Sequence, residues 1–271
     1  MTGTVELARH EWPPTGPAPN APVGVLVHGV AGWHRTWWRV GPALAERVWR
    51  VVAVDQRGHG RSPRIDGFTT IGELAADLAA TIERTGAPVD ALIGHSLGAA
   101  VSAELAFLRP ELVRRLVLED PPSVTRGDDT AWHASLAREH HTAKADPEGE
   151  IARELAENPA WLEEDARQDV EGKQLADIEG LLATFRRDTG ARVLDIAPRL
   201  TVPALYLLAA EGRSVIEGAA RRQLAATLPP GARIVVADAG HTIHRDRFDE
   251  YLETVLAWIT AESLRSAKWS A

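Results

Sequence analysis

The chain has 271 residues, with 38 acidic and 30 basic side chains and no cysteine. That length suits one large domain with its own core, or such a domain carrying an insertion, better than two independent domains. The acidic balance and the lack of a Lys/Arg cluster argue against nucleic acid and anionic membrane as partners. Without cysteine there is no disulfide, no thiolate metal site and no Cys nucleophile.

Residues 1–7 lack a basic segment followed by an apolar one, and no apolar run approaches membrane length, which leads to the expectation of a cytoplasmic protein. Residues 13–22 form a Pro-rich turn region. Val-Gly-Val-Leu-Val at 23–27 reads as a buried strand ending at His28-Gly29, followed by a helix over 36–47 and a strand over 49–55. The loop 56–63 leads to a helix over 70–84 with apolar residues at helical spacing. A further strand ends near Gly94, a helix runs to about Leu108 and stops before Pro110, and residues 116–120 read as the next strand.

After Pro121-Pro122 the rhythm breaks. Residues 123–200 contain almost no β-branched run and are rich in Ala, Glu, Asp and Arg, which predicts a helical insertion roofing the carboxyl edge of a sheet. Alternation resumes with a strand over 203–210, a helix over 217–228, a strand over 234–238 and a last helix over 248–259; the residues after 263 read as a tail. Strands alternating with longer helical patterns predict a parallel sheet wrapped by helices. The predicted organisation is a core from 1–122 and 201–271 with a cap at 123–200.

Gly94-His95-Ser96-Leu97-Gly98 carries the chemistry. A serine between a strand and a helix sits on a tight turn that exposes its hydroxyl, and the flanking glycines let neighbouring backbone approach. Ser96 is therefore the candidate nucleophile; the plain alternative is a helix-capping serine.

Together with His28-Gly29, Asp55-Gln56-Arg57-Gly58-His59-Gly60-Arg61-Ser62 and Ala239-Gly240-His241, this motif resembles the α/β-hydrolase superfamily from about residue 20 to 260. The resemblance implies an α/β-hydrolase fold, a mostly parallel eight-stranded sheet flanked by helices with a helical cap insertion, and the chain order nucleophile, acid, histidine. It implies no metal and no organic cofactor. It names no substrate, because this fold hosts esterases, lactonases, dehalogenases, epoxide hydrolases, carbon-carbon hydrolases and some hormone receptors.

A serine hydroxyl needs a base, and His241, between the last strand and the last helix, holds the position where the superfamily keeps it. His244 reads as structural, and Glu139-His140-His141 as a solvated helix face rather than a metal pair. The acid has two candidates. The common Gly-x-x-Asp after the strand at 203–210 is replaced by Ala210-Glu211-Gly212-Arg213-Ser214, which offers Glu211. Haloalkane dehalogenases and fungal zearalenone lactonases take the acid from the strand after the nucleophile helix, which here ends at Asp120. Asp120 is favoured over Glu211, with Glu119 third.

By position in the superfamily, the oxyanion donors are the backbone N–H groups of Val30 and Leu97. Asp55 and Arg57 read as loop braces. Gly29, Trp33, Trp132 and Trp161 are candidate substrate-binding residues, and aromatic walls favour a bulky apolar or aromatic group. The expected activity is hydrolysis of a small-molecule carboxylic ester or lactone through an acyl-enzyme, with a carbon-carbon hydrolase of the meta-cleavage type and a receptor-like protein with little turnover as alternatives. A serine nucleophile argues against dehalogenase and epoxide hydrolase chemistry, which in this fold attacks through Asp. The sequence does not set the oligomeric state; a homodimer is one candidate.

Overall fold

A computed structural model describes residues 3–123, 129–187 and 193–261, so the tail read after residue 263 lies outside it. Its strands are β1 (Arg9–Trp12), β2 (Val23–Val27), β3 (Arg50–Val54), β4 (Ala91–His95), β5 (Leu116–Glu119), β6 (Ala204–Leu208) and β7 (Arg233–Val236). They form one sheet in the order β1-β3-β2-β4-β5-β6-β7. β1 runs antiparallel to β3 and every other pairing is parallel.

The architecture is the expected one, with seven strands among the described residues where eight were implied. The described residues ahead of β1 add no strand: Val5 N–H donates to Asp77 Oδ1 and Leu7 is buried in the core. β1 itself was not expected, since Arg-His-Glu-Trp is mostly exposed and carries no apolar run.

Successive strand residues face opposite sides of the sheet, and each side is packed by helices, which is why β2, β4 and β6 are almost wholly apolar. On one side Val25, Val27, Val52 and Val54 pack with α2 (Ile71–Gly86) and α3 (Leu97–Leu108). On the other, Leu26, Val51 and Ala53 pack with α1 (Val40–Ala45) and the final helix. The helix expected over 36–47 is split into a 3-10 turn at His34–Trp37 and the short α1. Pro42 explains the break, because it has no N–H for a continuous helix and is tolerated only in a first turn.

Between β5 and β6 the described residues hold helices and no strand: α4 (Thr130–Ala145), α5 (Pro147–Glu157), α6 (Glu163–Leu175), α7 (Ile178–Arg187) and α8 (Val193–Ile196). Asp129 and Asp146 start two of them, accepting from Trp132 N–H at 2.9 Å and Gly149 N–H at 3.0 Å. The chain continues through α9 (Gly218–Thr227), α10 (Ile243–Asp246) and α11 (Phe248–Thr260). No described helix is long and apolar enough to cross a membrane.

Candidate active site

From β2 the chain moves to β3 on one side and then returns to β4 on the other. The crevice for a ligand in an open parallel sheet lies at the carboxyl ends of the strands where the order reverses, here between β2 and β4. Ser96 follows the last residue of β4, with φ 51° and ψ −118°, a conformation that a side-chain-bearing residue adopts only under strain of roughly 1–3 kcal/mol. Its N–H donates to Glu119 O at 2.9 Å. The turn depends on the glycines around it: a Cβ on Gly94 would stand 2.4 Å from Gly98 O, and one on Gly98 would stand 2.2 Å from Val27 O.

His28, fully buried at the end of β2, orders the neighbouring loop. Burial lowers its pKa to about 4, so the ring is neutral; Nδ1–H donates to Gly29 O at 2.7 Å and Nε2 accepts from Gln56 N–H at 3.1 Å. Because a peptide unit is planar, holding the Gly29 carbonyl also fixes the direction of Val30 N–H. Gly29, Val30, Ser96 and His241 line a common cavity of about 340 Å³.

Asp120 lies one residue beyond β5 with φ 39° and is completely buried. Its Oδ2 meets His241 Nδ1 at 2.7 Å and accepts from Val215 N–H at 3.0 Å, while Oδ1 accepts from Ala209 N–H at 3.1 Å and Ser214 Oγ at 2.5 Å. Burial alone would raise its pKa; the bonds from His241, Ser214 and Val215 outweigh that and hold the carboxyl below its usual range. Glu211 is exposed on the turn after β6, because the bonds from Ala209 and Val215 on either side of that turn close it around Asp120 instead. Ser214, which the sequence reading passed over, stands where the expected Gly-x-x-Asp pattern fails and supplies a donor in place of an acid.

Glu119 makes a second buried pair. It accepts from His244 N–H and from His244 Nδ1, each at 2.9 Å, which locks the start of α10 to the end of β5 just past His241. Burial pushes Glu119 up to about 7 and His244 down to about 3. Asp55 and Arg57 brace loops as expected: Asp55 accepts from His34 and Arg61, and Arg57 pairs with Asp77 at 2.8 Å.

The tryptophans divide. Trp132 and Trp161 line the cavity. Trp33 does not; it is 2% exposed and its Nε1–H donates to Gln168 O at 3.1 Å, so it docks α6 onto the loop after β2 rather than meeting substrate. Trp38 does the same through Asp165 at 2.9 Å. Leu97, at the first position of α3, has a buried side chain, and only its backbone is suited to face a ligand at Ser96. His140 is also a correction: it is buried, with Nδ1 on Lys173 O at 2.7 Å, because its side of α4 packs against α6, whereas His141 is exposed. Among the described residues no group of three His, Cys, Asp or Glu side chains could hold a metal ion.

The charged wall of the cavity was not legible beforehand. Lys173 and Asp169 of α6, Arg153 and Glu154 of α5, and Arg245 of α10 bring charge to a cavity expected to be apolar. Lys173 contacts Asp169 at 3.1 Å, and Asp169 also accepts from Arg245 Nη1 at 2.7 Å. The only sequence signal was the four-residue spacing of Asp169 and Lys173, which reads equally as a solvated helix pair.

The family model described as "Alpha/beta hydrolase family" matches residues 25–254. An epoxide hydrolase B of Mycobacterium tuberculosis is 36% identical over 113 residues, 41% of this chain and only 32% of that protein's length. An sn-1-specific diacylglycerol lipase of Mus musculus is 26% identical over 252 residues, 88% of this chain and 81% of the lipase. The crystal structure of the enol-lactonase from Burkholderia xenovorans LB400 superposes with a TM-score of 0.72 at 24% identity, covering 94% of this chain and 97% of the lactonase, a likeness of fold.

Proposed function

Since the chain belongs to the alpha/beta hydrolase family and is a hydrolase by that membership, we propose that it cleaves a carboxylic ester or lactone through an acyl-enzyme on Ser96. The observation that carries this reading is the 2.7 Å contact of Asp120 with His241 Nδ1 at the rim of the cavity that holds Ser96. With Nδ1 committed to the carboxylate, Nε2 is the nitrogen left to serve the serine. Ser96 Oγ attacks the carbonyl carbon as His241 Nε2 takes its proton, and Asp120 stabilises the imidazolium without itself accepting a proton. The backbone N–H groups of Val30 and Leu97 receive the oxyanion, with Val30 held by the His28–Gly29 bond. Collapse expels the alcohol, which leaves with the proton from His241; a water activated by the same ring then releases the acid.

Trp132, Trp161 and Leu136 on the cap wall support a substrate with a sizeable apolar or aromatic portion. The serine favours acyl transfer over the epoxide opening named for one relative. A fluorophosphonate is expected to label Ser96, and Ser96→Ala to lower kcat by a factor on the order of 10⁴ or more with an unchanged melting curve. Labelling at another residue would overturn the mechanism.

A further inference from the structure

Among the described residues, the charged lining of the cavity that holds Ser96 has more carboxylates than cations. Lys173 Nζ lies 3.3 Å from Glu150, 3.6 Å from Glu139 and 3.1 Å from Asp169, and also bonds Glu154. Arg153 reaches Glu150 at 2.6 Å, Glu154 at 2.9 Å and Glu157 at 2.7 Å. Arg245 pairs with Asp169 at 2.7 Å, and its guanidinium carbon lies over the ring of Trp161, 4.4 Å from its centroid. Among the described residues this network thus brings five carboxylates to three cations, and each cation already has a carboxylate partner. Burial first, and Asp169 second, push the carboxyl of Glu154 above its usual range, whereas Lys173 and Arg245 hold Asp169, and Arg153 and Lys173 hold Glu150, below theirs.

We propose that this wall selects substrates carrying a positive charge remote from the scissile carbonyl and rejects those carrying a carboxylate there; the inference rests on the ester or lactone hydrolase reading of the same cavity. The three cations look, at first sight, like a carboxylate clamp. They are not available as one: a substrate carboxylate would have to take Lys173, Arg153 or Arg245 from a partly buried acid, leaving that acid uncompensated, and breaking such pairs is costly. An ammonium or guanidinium group instead meets surplus carboxylate in a confined space, where a charge contact outweighs its value in water. Trp132, also in the cavity lining, adds an aromatic ring that tolerates a cation. Glu157 and Glu139 are the most exposed carboxylates of the network, at 57% and 36%, and so the ones most open to a cation arriving from solvent.

The test is kcat/KM near pH 7.5 for two matched sets of esters. One set carries the charge on the acyl side: the p-nitrophenyl esters of 6-aminohexanoic, heptanoic and adipic (mono) acid. The other carries it on the alcohol side: the acetates of choline, 3,3-dimethylbutanol and 4-hydroxybutanoic acid. In at least one set the cation is expected to exceed the carboxylate by about tenfold or more, mainly through KM. Glu157→Gln and Glu139→Gln, at the two most exposed carboxylates of the network, are each expected to shrink that ratio by about threefold or more. Equal rates for cation and carboxylate in both sets, a preference for the carboxylate, or a ratio unmoved by both substitutions overturns the proposal. Ser96→Ala on the neutral esters separates the two readings. If their hydrolysis depends on Ser96, a flat ranking sinks only the charge selection; if no ester is cleaved through Ser96, the hydrolase reading itself falls.

Discussion

Two carboxylate–histidine pairs stand side by side at the end of β5, Asp120 with His241 and Glu119 with His244, and their surroundings set them apart. Both carboxylates are fully buried, but the His241 side chain is 33% exposed at the cavity and that of His244 is 2% exposed, between Trp37 and Tyr251. Asp120 collects bonds from Ala209, Ser214 and Val215 besides its histidine and stays below the usual carboxylate range, whereas burial wins at Glu119 and pushes it up to about 7. The same two functional groups thus make one pair with an ionised carboxylate and a cavity-facing imidazole, suited to proton transfer, and one sealed pair suited to holding α10 in place. Environment, not residue type, separates them.

The largest expected effect breaks the comparison at the acid. Asp120→Asn should lower kcat by a factor on the order of 10⁴ by favouring the wrong imidazole tautomer, while Glu119→Gln should cost less than about tenfold. Steady-state rates, read beside melting curves because Asn also turns an N–H₂ toward backbone donors, check this. The reverse ranking would hand the acid's role to Glu119.

Stability against pH sharpens the contrast. A carboxyl raised from 4.5 to about 7 on folding contributes stability that is present below pH 4.5 and lost as pH climbs to about 7, about 3 kcal/mol for full ionisation. Asp120 has the opposite sign, its stability being present above the usual carboxylate range and lost as pH falls through its lowered value. Urea unfolding between pH 5 and 8 should therefore show Glu119→Gln flattening the loss on the alkaline side and exceeding the parent in stability at pH 8. A variant less stable than the parent at pH 8 would mean that the ionised Glu119–His244 pair stabilises the fold.

Smaller effects probe the partners of Asp120. Ser214→Ala removes one donor and should cost about 1 kcal/mol of stability and less than about tenfold in kcat, measured by the same unfolding and rate assays. Glu211→Gln should change neither quantity beyond error; a rate loss like that of Asp120→Asn would mean the turn after β6 reaches His241 after all.

Much of this was legible in the sequence because the signals are local. Ser96 is marked by the steric demand of Gly94 and Gly98 within four residues, and the alternation of short apolar runs with helical periods exposes the parallel sheet. β1 escaped because an edge strand with one inward residue carries no apolar pattern. Trp33 was misread because an indole N–H bonded to Gln168 and one facing a ligand look identical in sequence.

By itself, then, the sequence determined the strand-turn-helix that strains Ser96, the order of β2 through β7 and the helical make-up of the segment after β5. Only the tertiary structure decided that Asp120 rather than Glu211 meets a histidine 121 positions away, that Glu119 and His244 close behind them, and that Lys173 and Arg153 line the cavity. The reason is range. Backbone preference and hydrophobic period act over a few residues and repeat along the chain, whereas the partner of a buried charge is chosen by which strand ends and helices the sheet order brings together, and by what they shut away from solvent.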